Sequence, residues 1–175
     1  MTTNTPPFRF CLSSDVNLQV AVKLGSLFGA LPYFEDRWHT DDWSDYRPYS
    51  LFVTLSLYNN EERLGVDYCS EFAEFQVNSD SGCPAASWDE WITLSAKFRD
   101  LLPTSFLAVT VWHFSEGQAR EALGGATISL FSKKGRLKTG KQSLRLWSGL
   151  VADVTQPSST PGKEPVATRG ELGSV

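Results

Sequence analysis

The segment Leu18-Gln19-Val20-Ala21-Val22-Lys23-Leu24 places apolar residues at even positions and polar or small ones at odd positions, the period of a strand with one face buried. The same period returns at residues 51–58 and 106–112, both rich in β-branched and aromatic side chains, so both read as central strands. Less regular stretches at residues 8–12, 72–77, 91–94, 126–131 and 143–147 predict further strands. They are separated by turn formers such as Asn59-Asn60, Asn78-Ser79-Asp80-Ser81-Gly82 and Gly124-Gly125. Only residues 118–123 read as a short helix. The pattern names the expected core: Leu18, Val20, Val22, Leu24, Leu51, Val53, Leu55, Leu57, Leu107, Val109 and Val111. About eight short strands with almost no helix predict an all-β, antiparallel sandwich.

Two local features refine this picture. In Trp88-Asp89-Glu90-Trp91 the indoles are an odd number of residues apart, so an extended strand sends them to opposite faces; Trp91 is expected in the core and Trp88 at its margin. In Asp100-Leu101-Leu102-Pro103 the proline precedes a strand, where its missing N–H disturbs no ladder bond. From Asp153 onward the chain turns to Thr155-Gln156-Pro157-Ser158-Ser159-Thr160-Pro161-Gly162-Lys163-Glu164-Pro165, with almost nothing large and apolar to bury. Residues 8–152 are therefore expected to form the sandwich, and residues 153–175 a flexible Pro/Ser/Thr-rich tail or linker.

Composition fits one globular domain: the chain has 175 residues, 41% hydrophobic and 21% charged. It has no apolar run of about 18 residues and no basic and apolar leader at its start, so membrane spanning and secretion are not expected. Cys11, Cys69 and Cys83 show no paired short spacing, and neither a disulfide framework nor a zinc site is signalled. The surroundings expected from this are cytosolic.

Catalytic signatures are missing from the sequence. His39 and His113 have no neighbouring ligand partners, and neither GxxxxGK[ST], GxGxxG nor a kinase loop signature occurs. No catalytic residue, metal ligand or cofactor is assigned. Glu35, Asp36, Asp41, Asp42 and Asp45 form an acidic segment, but the loop after the strand at 106–112 begins His113-Phe114-Ser115-Glu116. One acidic loop without a second makes a weak calcium cage, so calcium independence is expected.

Charge singles out one stretch. Lys133, Lys134, Arg136, Lys138, Lys141 and Arg145 lie within residues 132–145 without an acid, in a chain whose net charge is −4. Acidity elsewhere speaks against nucleic acid as the partner, whereas this local cluster suits an acidic protein face or an anionic membrane surface. These six residues are the candidate lipid- or partner-binding site, on an exposed hairpin with glycine turns. The six tryptophans also raise the option of a carbohydrate platform, but most are explained as core or strand-end aromatics.

Five groups of residues together resemble the C2-type domain of phosphatidylinositol 3-kinases. They are Phe8-Arg9-Phe10-Cys11-Leu12, Val20-Ala21-Val22-Lys23-Leu24-Gly25-Ser26-Leu27, Trp88-Asp89-Glu90-Trp91, Phe98-Arg99-Asp100-Leu101-Leu102-Pro103 and Val109-Thr110-Val111-Trp112. Gly124-Gly125-Ala126-Thr127-Ile128-Ser129-Leu130-Phe131-Ser132-Lys133-Lys134-Gly135, Leu144-Arg145-Leu146-Trp147 and Thr160-Pro161-Gly162-Lys163 are similar to the class III lipid kinase of vacuolar sorting and autophagy. The resemblance implies a C2-type β-sandwich from the N-terminal part of such an enzyme, lacking the family's helical hairpin, final strand, helical domain and kinase domain. It implies a parent enzyme that phosphorylates the 3-position of phosphatidylinositol with ATP and a divalent metal. It also implies that this domain organises a complex with a protein-kinase-like regulatory subunit and a Beclin-like subunit. The location implied is cytoplasmic, peripheral to endosome and autophagosome membranes. The competing function is an autonomous, calcium-independent module for anionic phospholipid.

Overall fold

The computed structural model describes residues 12–29, 49–77, 84–114, 119–155 and 171–174. The expected strand at 8–12, the acidic segment Glu35 to Asp45, the turn at 78–82 and residues 156–170 of the expected tail lie outside them, except that Leu12 is exposed coil. Ten strands appear among the described residues: β1 (Gln19–Phe28), β2 (Tyr49–Asn59), β3 (Glu62–Arg63), β4 (Tyr68–Cys69), β5 (Ala73–Val77), β6 (Pro84–Lys97), β7 (Phe106–Phe114), β8 (Glu121–Ser129), β9 (Arg145–Ser148) and β10 (Glu171–Ser174). Every pairing is antiparallel. The hydrogen-bonded order β3-β2-β5-β6-β1-β10-β9-β8-β7 returns to its start through β2–β7. The chain is thus an all-β antiparallel sandwich whose two layers are joined at both margins.

The core follows the period-two pattern most closely where strands have partners on both sides. Leu51, Val53, Leu55 and Leu57 of β2 face Leu107, Val109 and Val111 of β7, and all seven are buried. They share one buried cluster with Leu24, Leu27, Phe75, Ile92, Leu94 and Leu146. A shift in the β7–β8 register between Val111 and Trp112 admits an extra residue on β8, and Leu123 turns inward there. β7 is buried on its other face as well: Tyr58 stacks on Phe106 with ring centroids 5.3 Å apart, and Ala108 and Thr110 are buried.

Thr110 is covered by the chain beyond β9. The Ala152 N–H donates to Thr110 Oγ1 (3.1 Å), and residues 151–152 run against Gly125, at a point where a β-carbon would overlap Ala152 N and Val151 C. Gly125 is therefore needed for backbone approach rather than for a turn. The strap continues into Thr155, whose N–H and hydroxyl both donate to Asp153 Oδ1 (3.0 and 2.7 Å).

Several expectations are corrected. Residues 118–123 do not form a helix over their described part, because Glu121 and Ala122 pair with His113 and Trp112 in the ladder. Leu18 is 71% exposed: it precedes β1, and its carbonyl accepts from Phe98 N–H (2.8 Å). Val20 and Val22 are only half-buried, since among the described residues the edge of β1 away from β6 has one register pair, Phe28↔Ser174. The tryptophans are reversed. Trp91 is 66% exposed, while Trp88 packs against the core and its indole N–H donates to Glu71 O (3.1 Å). Within the segment read as a tail, Glu171–Ser174 forms β10, with backbone partners on β1 and β9. At those four residues the chain is strand.

Candidate basic interaction surface

The basic stretch is built on the connection from β8 to β9. Phe131 and Leu137 form an isolated bridge, Ser132 N–H donates to Arg136 O (2.8 Å), and Lys138 N–H donates to Leu130 O (2.7 Å), which fixes two short arms. The tip is a tight turn in which Gly135 N–H donates to Ser132 O (2.9 Å) and Arg136 N–H to Ser132 Oγ (3.2 Å). Gly135 has φ +69°, so a side chain there would be strained. Leu130, Phe131 and Leu137 pack against the core, and Phe131 also meets Phe98 with centroids 6.2 Å apart. Three apolar anchors thus hold the loop while its charges point away.

Lys133, Lys134, Arg136 and Lys141 are exposed and Lys138 is half-buried. Among the described residues none of these five takes part in an ion pair; the pairs present include Lys23–Asp89, Arg63–Asp67 and Arg99–Asp100. Five cations on one loop without internal compensation leave a concentrated positive field for an outside partner. Arg145 does not belong to this group. It lies on β9, where its backbone pairs with Ser174, and it has interactions of its own.

The opposite end of the β2–β7 ladder carries a cluster that the sequence reading did not foresee. Phe52 meets Phe72 (5.4 Å) and Trp112 (6.4 Å), Phe72 meets Phe114 (5.9 Å), and Arg120 lies 4.5 Å above the Trp112 ring. The signal was available in the outward parity of Phe52, Trp112 and Phe114. Among the described residues the tryptophans do not form a shared sugar platform: Trp147 is buried, Trp88 is half-buried, and Trp91 and Trp112 lie on β6 and β7, strands not paired with each other. Trp38 and Trp43 lie outside the described residues. No group of three or more His, Cys, Asp or Glu stands together among the described residues, and no described helix is long and apolar enough to cross a membrane.

Residues 48–172, which run from the start of β2 into β10 and include the basic loop, match the family model for the phosphoinositide 3-kinase C2 domain. The chain belongs to this family. It is 42% identical over 168 residues to the root isoform of phosphatidylinositol 3-kinase from Glycine max and 40% identical over 167 residues to phosphatidylinositol 3-kinase VPS34 from Arabidopsis thaliana. Each match covers 94% of this chain and 20% of the relative. The type 3 phosphatidylinositol 3-kinase catalytic subunit of Caenorhabditis elegans is 29% identical over 171 residues, covering 90% of this chain and 18% of the relative. The chain spans about a fifth of the length of these relatives, and that fifth is their C2 region, without a kinase domain; the kinase activity in their names belongs to the longer proteins.

Proposed function

We propose that this C2 domain acts as the non-catalytic scaffold of a class III phosphatidylinositol 3-kinase, and that its basic loop docks on an acidic face of a regulatory subunit. The observation that carries the reading is the set of five cations, Lys133, Lys134, Arg136, Lys138 and Lys141, held on a clamped loop with no ion-pair partner among the described residues. A rigid charged surface loses little side-chain and loop entropy on docking, which favours a defined protein partner over a diffuse one. The partners proposed are a protein-kinase-like regulatory subunit and a Beclin-like subunit. The setting is phosphatidylinositol 3-phosphate synthesis in endosomal sorting and autophagy, at the cytoplasmic side of endosome and autophagosome membranes.

The test replaces Lys133, Lys134 and Lys141 with Glu. Lys138 is left in place because it is half-buried. Exposed charge changes alter stability by about 0.5 kcal/mol or less, so the triple variant keeps its fold and loses capture of the regulatory subunits. Undiminished capture would refute the docking surface. Loss of binding to anionic liposomes, with subunit capture intact, would assign the loop to an autonomous phospholipid module instead.

A further inference from the structure

The basic loop contains a hydroxyl that the scaffold reading does not use. Thr139 is exposed, follows the Phe131–Leu137 bridge, and precedes Gly140, whose φ is +79°. Its carbonyl accepts from the Gln142 side-chain amide (3.4 Å), but its own hydroxyl has no hydrogen bond among the described residues. Around it the cations fall at fixed offsets: Lys133 and Lys134 six and five residues before, Arg136 three before, Lys138 one before and Lys141 two after.

We propose that Thr139 is a phosphate acceptor for a basophilic serine/threonine kinase, and that its phosphorylation weakens the docking of the basic loop. The second half rests on the scaffold reading above. Kinases of this class select substrates by charge, placing carboxylates where an arginine three residues before the acceptor will sit. Arg136 supplies that arginine, and the structure separates this hydroxyl from others with the same spacing. Ser50, three residues after Arg47, is locked in β2 opposite Glu74 and Phe114; Ser148, three after Arg145, is paired with Gly124 in β9. Thr40, three after Arg37, lies outside the described residues. A kinase must draw its substrate into an extended cleft, which at Ser50 or Ser148 means breaking a ladder between full strands and at Thr139 means releasing one isolated bridge and the two backbone hydrogen bonds beside it.

In the reaction Thr139 Oγ1 attacks the γ-phosphorus of ATP. The new Oγ1–P bond forms as the bond from that phosphorus to the β,γ-bridging oxygen breaks, ADP leaves with the electron pair, and the hydroxyl proton passes to a carboxylate of the kinase. The product carries about −1.5 to −2 charges in the middle of five cations. Arg136 and Lys141 flank it in the sequence, and charge-assisted hydrogen bonds to such neighbours would occupy the groups that an acidic partner needs.

The experiment incubates the 175-residue protein with the catalytic subunit of cAMP-dependent protein kinase and ATP, locates phosphate by peptide mass spectrometry, and measures the affinity of each form for immobilised polyglutamate. The expected result is one phosphate at Thr139, absent in Thr139→Val, with polyglutamate affinity reduced about tenfold, the scale set by removing one or two effective charges. Phosphate absent from Thr139, or incorporation unchanged in Thr139→Val, overturns the acceptor site. Phosphate at Thr139 with unchanged affinity overturns the switch. Failure of the unmodified protein to bind polyglutamate above the Lys133→Glu/Lys134→Glu/Lys141→Glu variant overturns the docking reading itself, and the phosphate map is read independently of it.

Discussion

Gly125→Ala isolates the contribution of the strap that crosses β7 and β8. The added methyl would overlap Ala152 N and Val151 C and lie 2.7 Å from Ala152 Cα, all backbone atoms that no rotamer change can move aside. Relief requires residues 151–152 to lift, which breaks the Ala152 N–H···Thr110 Oγ1 bond of 3.1 Å and uncovers Thr110. One hydrogen bond contributes about 1 kcal/mol, and forcing an extra carbon into a packed site costs about 1–3 kcal/mol. The expected loss is about 2–4 kcal/mol, or roughly 5–15 °C in melting temperature for a domain of this size. Urea unfolding of Gly125→Ala, Thr110→Val and the double variant forms a cycle. Thr110→Val alone should destabilise by about 1 kcal/mol through the lost acceptor. In the Gly125→Ala background it should have almost no further effect, because the strap is already displaced. A Gly125→Ala loss below about 0.5 kcal/mol, within the range of an ordinary surface change, or strict additivity of the pair, would refute the reasoning.

The reversed tryptophans give a second contrast. Trp88→Ala removes a ring packed on the core and an indole N–H bonded to Glu71 O, and should lower urea stability by about 3 kcal/mol. Trp91→Ala, at an exposed position, should change it by less than about 1 kcal/mol; equal losses would contradict the assigned faces. Ser105 is fully buried, accepts from Leu102 N–H (2.7 Å) and donates to Asn59 Oδ1 (2.5 Å). Ser105→Ala leaves those two groups unpaired and should cost about 2–3 kcal/mol in chemical denaturation.

Legibility in the sequence depended on how completely a strand was enclosed. β2 and β7 were readable because their neighbours leave no alternative face for Leu51, Val53, Leu55, Leu57, Leu107, Val109 and Val111. Val20 and Val22 obey the same alternation, yet a sparsely paired edge leaves them half-exposed, which a pattern along one strand cannot reveal. The face of Trp91 was readable: Ile92, Leu94 and Ala96 are the buried parity of β6, and Trp91 falls on the other. Residues 118–123 carry good helix formers, but ladder pairing with β7 outweighs such weak propensities. The two-residue strands β3 and β4 are too short to show a period, and Glu171–Ser174 offers one large apolar residue. Gly125 looked like a turn because the backbone that requires its missing side chain is supplied from beyond β9. At the basic site, charge alone identified Lys133, Lys134, Arg136, Lys138 and Lys141, whereas separating Arg145 from them needed the β9 ladder.

The unbroken β2–β7 ladder, from Ser50↔Phe114 to Tyr58↔Phe106, joins segments roughly 50–60 residues apart, so its formation is limited by a long search rather than by local hairpin closure. On a ribosome adding about 5–20 residues each second, β2 emerges roughly 3–12 s before its partner. Throughout that interval Leu51, Val53, Leu55 and Leu57 lack the strand that later covers them. Four of the most deeply buried side chains of the finished domain are therefore among its most vulnerable at birth. Slower translation lengthens that exposure, and a chaperone that binds extended apolar segments would find its principal target in residues 51–57.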